Sequence, residues 1–274
     1  MRSTEPNDGE DSVVGRVLAI IEAFDSDDAS VRLSELARRT GLPKGTVHRF
    51  LQQLCSHNIV ERAPDGYQLG VRLFELGMRP PRARDLRESL PILGDLRDAT
   101  HETVHLAILD GDEVVYVEKL PGHCGPPLAS RVGGRSPAHA TGLGKALVAF
   151  GRKEVAESLL RSKLPRLTPH TIVLPGPLSR EFAKIRREGV AYENEEATLG
   201  VVCAACPIMG PDGFAVGAIS VAGWSHSFDP LRFAPAVRTA ALAVSRQLDE
   251  SRDLRGRLPR DSSPSRARRR LPKS

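Results

Sequence analysis

What this chain of 274 residues lacks narrows what it does. It has no apolar run of about 18 residues, so no membrane-spanning helix is expected. Cysteine is sparse. The four, at positions 55, 124, 203 and 206, form no spaced disulfide framework, which suits a reducing cytoplasm. The first residues are acidic and polar (Glu5, Asp8, Glu10, Asp11) and do not read as a signal peptide. Complete paired-cysteine and nucleotide-binding motifs are also missing. Cys203-Ala204-Ala205-Cys206 has no second pair, and Pro207 follows it inside an apolar strand. Gly142-Leu143-Gly144-Lys145-Ala146 is a fragment of a phosphate-binding loop. His139 stands where the leading glycine belongs, and Ala146 lacks the magnesium-binding hydroxyl. No cofactor, metal site or catalytic group is expected from these stretches.

A uniformly basic surface is missing as well. Residues 255–274 carry eight Lys/Arg against Asp261, a net of +7, which leaves −2 of the total +5 for the rest. Within that remainder, residues 31–62 hold six Lys/Arg against Glu35 and Glu61, a local +4. The basic footprint expected of a nucleic-acid contact therefore sits on this short stretch and on the tail.

That short stretch contains the pattern LSELARRTGLPKGTVHRFLQQL, residues 33–54. Leu36, Ala37, Val47, Phe50, Leu51 and Leu54 fall at helical spacing and form an inner face. Gly41 suits the left-handed residue of a sharp interhelical turn, and Pro43 the first position of the next helix. Small, Gly, then β-branched at Ala37, Gly41 and Val47 is the spacing of a helix-turn-helix. The outward side of its second helix would present Lys44, Thr46, His48, Arg49 and Gln52 to phosphates and base edges.

Further elements follow in order. Ser12 caps a helix to about Phe24. Ile59–Arg62 and Tyr67–Leu69 flank Pro64-Asp65-Gly66, a hairpin that forms a wing; Arg62 and Tyr67 are candidates to touch the DNA backbone or minor groove. Val71–Gly77 starts a linker helix interrupted at Pro80-Pro81, and Asp85–Thr100 resumes it. Strands are expected at 103–109 and 114–120, a Gly- and Pro-rich loop at 121–138, and helices at 141–150, 153–161 and 178–188. A short strand at 190–192, paired strands at 201–209 and 214–221, and a long helix at 230–253 complete an antiparallel α+β domain. Five segments result: a disordered 1–11, a winged helix-turn-helix at 12–70, a linker region at 71–83, an α+β domain at 84–253, and a basic disordered tail at 254–274.

His101-Glu102-Thr103-Val104-His105 spells HExxH and supplies the alternative, a zinc-dependent hydrolase. That chemistry needs both histidines on one helix face. Here the helix is expected to end near Thr100, and Thr103–Leu109 reads as a strand.

Together the stretches LSELARRTGLPKGTVHRFLQQL, YQLGVRLFELG, TVHLAILDGDEVVYVEK, HATGLGKALVAF, GVAYENEEATLGVVCAACPI and AISVAG resemble the IclR family of bacterial transcriptional regulators. The resemblance covers about residues 12–250. It implies a winged helix, a linker helix and a GAF-like effector domain. It also implies a non-enzymatic regulator, most often a repressor, that binds palindromic operators as a dimer or tetramer. Its DNA affinity would respond to a small organic effector, often a carboxylate. Leu128, Gly142, Leu143, Glu193, Cys203, Ser220 and Ala222 occupy the effector-pocket positions. Gly45 departs from the Ser or Ala common in the family. Ala222 replaces a serine and Leu143 a smaller residue. A more apolar pocket follows, and with it a ligand larger than the smallest oxo-acids, or aromatic.

Overall fold

The computed structural model describes residues 12–25, 28–123 and 125–257. The expected disorder of residues 1–11, the position of Cys124, and the basic tail from 258 onward lie outside them. The chain divides into two compact units, one ending at Pro81 and one beginning at Arg82.

In the first unit, α1 (Val13–Glu22) begins where the Ser12 hydroxyl accepts from the Gly15 amide. α2 (Leu33–Thr40) ends at Gly41, whose φ of 68° is the left-handed conformation the turn requires. α3 (Lys44–Ser56) starts one residue later than expected. Pro43 is its N-cap, with an extended ψ of 135°, and its carbonyl accepts from Thr46 and Val47. Ile20, Leu36, Val47, Phe50, Leu51, Leu54 and Val60 close the core. β1 (Val60–Ala63) and β2 (Gly66–Leu69) form the wing hairpin, and α4 (Val71–Gly77) follows.

Tyr67 does not reach outward. Its ring is buried in the core, and its backbone exchanges both hydrogen bonds with Val31. This overturns the expectation that it meets DNA: pairing with Val31 seats the ring in the core, while Arg62, its cross-strand partner, lies over that ring and stays exposed.

The second unit opens with two helices where one was expected, α5 (Pro81–Arg87) and α6 (Leu90–Thr100), broken at Ser89. Six antiparallel strands follow: β3 (Thr103–Asp110), β4 (Glu113–Leu120), β5 (Arg135–Pro137), β6 (Ala191–Asn194), β7 (Val201–Met209) and β8 (Ala215–Trp224), in the order β5-β4-β3-β8-β7-β6. β5 lies inside the stretch read as loop; three residues are too short for a periodic signal. The helices α7 (Gly142–Ala149), α8 (Lys153–Arg161) and α9 (Pro175–Glu188) come between β5 and β6. α10 (Pro230–Arg257) is continuous past 253, so the boundary at 254 falls inside a helix.

The two sheet faces differ in side-chain size. Val104, Leu106, Val202, Cys206, Ile208, Ile219 and Val221 pack with residues of α6 and α10. The opposite face offers Ala107, Ala205 and Ala218 to α7 and α9. Small residues there let α7 approach closely, and that approach builds the site below.

The turn and the start of α3 give a paired test. Gly41→Ala introduces a left-handed side chain and should cost about 1–2 kcal/mol. Gly45 has open space where a Cβ would go, so Gly45→Ala should stabilise by about 0.5–1 kcal/mol. Denaturant titration followed by circular dichroism reads both, and equal signs would contradict the local geometry.

Candidate functional sites

The first site is the outer side of α3. Val47, Phe50, Leu51 and Leu54 are buried, which turns Lys44, Arg49 and Gln52 to solvent and leaves Thr46 and His48 half-buried. The charges nearby divide into two groups. Arg38 and Arg39 of α2 are committed to Glu35, and Arg39 also to Asp28. The hydrogen bonds from Arg38 and Arg39 hold the Glu35 carboxyl down at about 2. Lys44, Arg49 and Arg62, by contrast, pair with no carboxylate among the described residues. Arg49 lies over the Phe50 ring at 5.3 Å and Arg62 over Tyr67 at 5.7 Å. Gln52 sits on the third turn, farther along the same side.

The second site is a cavity of about 320 Å³ in the second unit. All seven effector-pocket positions line it: Leu128, Gly142, Leu143, Glu193, Cys203, Ser220 and Ala222. Sheet register gathers four of them. Glu193 faces Cys203 across β6 and β7, Cys203 faces Ala222 across β7 and β8, and Ser220 faces His105 across β8 and β3. His105, Tyr116, Ser130, Arg131 and Arg135 also line the cavity and were not anticipated. The alternation of β3 held a signal for His105, since it shares the sheet face of Thr103 and Ala107.

At the start of α7 the Thr141 hydroxyl accepts from the Gly144 amide. The same helix start brings the backbone of Gly142 against the side chain of Cys203. A Cβ at position 142 would lie 2.6 Å from Cys203 Sγ, so only glycine allows this contact. Burial drives the Cys203 thiol far above its ordinary range, so it stays protonated.

Burial also raises Glu193, to about 7, against the opposing pull of the Ala197 and Glu196 amides. Its Oε1 accepts those amides at 3.1 and 2.7 Å. The folded state therefore keeps the proton to higher pH than the unfolded chain. The contribution of Glu193 to stability falls as pH rises from about 4.5 to about 7. On the other side, burial and then the nearby Lys119 charge lower His105 to about 3, so its imidazole is neutral. His105 Nε2 lies 2.8 Å from Ser130 Oγ. Lys119 Nζ donates to the carbonyls of Leu128 and Ser130 at 2.8 and 2.6 Å, fixing that wall.

The enzyme-like motifs come apart in space. His101 caps α6 with a φ of 60°, and His105 lies on β3, so the two share no helix face. Cys203 and Cys206, three residues apart on a strand, point to opposite sides of the sheet. Lys145 is fully buried. It bonds the Tyr192 carbonyl at 2.7 Å and Glu196, and lies 3.7 Å from Glu181, so it is no phosphate ligand.

A winged helix-turn-helix with outward cations, joined in one chain to a unit enclosing a polar cavity, defines a DNA-binding regulator with a sensory domain. Residues 13–64 match the IclR helix-turn-helix domain and residues 83–246 the bacterial transcriptional regulator IclR C-terminal domain. The chain belongs to the IclR family of bacterial transcriptional regulators. It is 32% identical over 242 residues to the HTH-type transcriptional regulator XynR of Escherichia coli K12, covering 86% of this chain and 96% of that protein. To the transcriptional repressor IclR of the same organism it is 30% identical, covering 81% and 83%. An IclR homologue from Microbacterium hydrocarbonoxydans, solved in complex with 4-hydroxybenzoate, superposes with a TM-score of 0.81. Identity there is 31%, over 87% of this chain and all of that one. These relatives are regulators, and the hydrolase alternative finds no support among them.

The buried lysine generates a test. Lys145→Met should cost about 3–5 kcal/mol at pH 8, because Glu196 is left charged and buried. The loss should shrink at pH 5, since burial already raises Glu196 toward the protonated form. Trp224 is the sole tryptophan and reports unfolding of this unit. A variant as stable as the parent at pH 8 would contradict a structural role for Lys145.

Proposed function

We propose that the chain is a cytoplasmic repressor that binds a palindromic operator and releases or tightens on it when a small organic carboxylate occupies the cavity. The convergence of seven residues from three strands, a helix and a loop on one cavity, in a chain whose α3 cations pair with no carboxylate among the described residues, supports this reading most directly. Lys44, Thr46, His48, Arg49 and Gln52 of α3 contact DNA in this reading, with Arg62 from the wing. Lys44 and Arg62 serve as phosphate anchors, and Arg49 is the candidate to read guanine.

In the cavity, the Leu143 amide, the Cys203 thiol and the Ser220 hydroxyl are the donors for an anion at the start of α7. Leu128 and Ala222 supply apolar walls, and Gly142 provides the space. Glu193 closes the polar end. Tyr116, His105 and Ser130 suit a second polar group at the far side of a flat ligand, which favours a hydroxyaromatic acid over the smallest oxo-acids. The complex of the Microbacterium homologue with 4-hydroxybenzoate agrees with that class. Exposed apolar side chains on α1 (Val13, Val14, Leu18) and on α4 (Val71, Phe74) support association of two copies, as a dimer or within a tetramer.

Substitution on α3 separates positioning from reading. Arg49→Ala should weaken specific operator binding by about 1–3 kcal/mol and relax preference at one base pair. Lys44→Ala should weaken all sequences alike and lower the salt slope by about 1. Fluorescence anisotropy over a salt series measures both. Unchanged affinity in both variants would remove α3 from the interface.

A further inference from the structure

We infer that Glu193 binds the effector as a protonated carboxylic acid, so that capture of an anionic effector takes up one proton, and neutral analogues bind without one. This rests on the proposed reading of the cavity as the effector site and assigns the charge state in which that site works.

The charges around Glu193 support the inference. It is 4% exposed and lines the cavity. The charged groups packed nearby are one ammonium and two further carboxylates. Lys145 of α7 is hydrogen-bonded to Glu196 and lies 3.7 Å from Glu181 of α9. Its charge is thus already matched twice before Glu193 is counted. Glu196 Oε2 is itself buried and has no hydrogen-bond partner, so this cluster is short of positive charge. From β7, Glu193 meets the neutral Cys203 thiol, and from β4 the phenol of Tyr116, which burial keeps protonated. From β3, the imidazole of His105 is neutral. Arg135, on the β5 wall, is tied to Asp110 at 2.5 Å and to Glu113 at 3.3 Å. Arg131 lines the cavity too and is not without a partner.

An anionic effector therefore enters a cavity whose deepest acid lacks a free counter-ion. Two carboxylates sharing such a site cannot both ionise cheaply, and one proton between them forms a hydrogen bond instead. Glu193 Oε1 already accepts two amides, which leaves Oε2 to carry that proton and donate it to an effector oxygen. Burial raises Glu193 to about 7, so the proton is available to it near neutral pH.

Calorimetric titration of the full chain with 4-hydroxybenzoate, benzoate, pyruvate and glyoxylate, from pH 5.5 to 8.5 in buffers of differing ionisation enthalpy, tests this. Whichever acid binds should show uptake approaching one proton at pH 8. Its Kd should be nearly flat below pH 7 and weaken roughly tenfold per pH unit above it. Glu193→Gln, which keeps a donor but no charge, should bind with a flat pH profile and no uptake, and the corresponding amide should be flat with the parent. Binding without proton uptake and with a flat profile in the parent would overturn the inference while leaving the cavity reading intact. Binding untouched at every pH by Ala222→Leu, which fills the cavity, would overturn the cavity reading and the inference with it. Failure of all four acids to bind across the range would do the same.

Discussion

The buried ammonium of Lys145 holds the second unit together at its functional end. It ties α7 to the carbonyl of Tyr192 and to Glu196, and so fixes the turn that follows β6 against the helix start. That turn presents the amides of Glu196 and Ala197 to Glu193, and the start of α7 brings Gly142 against Cys203. The polar end of the cavity is therefore assembled around one charge. A buried ion pair contributes little net stability compared with an apolar replacement, but losing one partner is costly. The arrangement is better understood as a device for position than for stability. The alanines of β3, β7 and β8 serve the same end, since a bulkier sheet face would lift α7 away.

The first unit solves a different electrostatic problem. Its α2 arginines are spent on Glu35 and Asp28, which steadies the helix and the loop before it. The cations of α3 and the wing pair with no carboxylate among the described residues and turn outward. A surface of this kind attracts phosphate at long range and exchanges counterions on binding. In the proposed reading the two units recognise two kinds of anion by two means: exposed cations for a polymer, and fixed amides, hydroxyls and a held proton for a small molecule. Regulation requires a coupling free energy between them, on the order of 1–3 kcal/mol.

Much of this was legible in the sequence. The inner face of the helix-turn-helix, the Gly41 turn and the hairpin follow from period and turn chemistry. The seven cavity positions came through resemblance, and the sheet register explains why residues far apart in sequence meet. What was missed has physical causes. Tyr67 reads as an exposed wing aromatic until its pairing with Val31 turns it inward. β5 is too short to show a period. The break at Ser89 falls between two equally helical stretches. The structural role of Lys145 was not legible because its carbonyl and carboxylate partners lie 36 or more residues away in the chain, where local pattern carries no information. His105 was weighed as a zinc ligand, and only the strand assignment shows it as a neutral lining residue.

The central claim is that occupancy of the cavity changes affinity at α3. The most direct measurement is operator affinity by anisotropy at fixed salt and pH 7, with and without saturating 4-hydroxybenzoate, in the parent and in Ala222→Leu. The account predicts a shift of about 5- to 150-fold in the parent and none in the variant. A parent whose specific binding is unmoved by the ligand while calorimetry shows the cavity filled would contradict it.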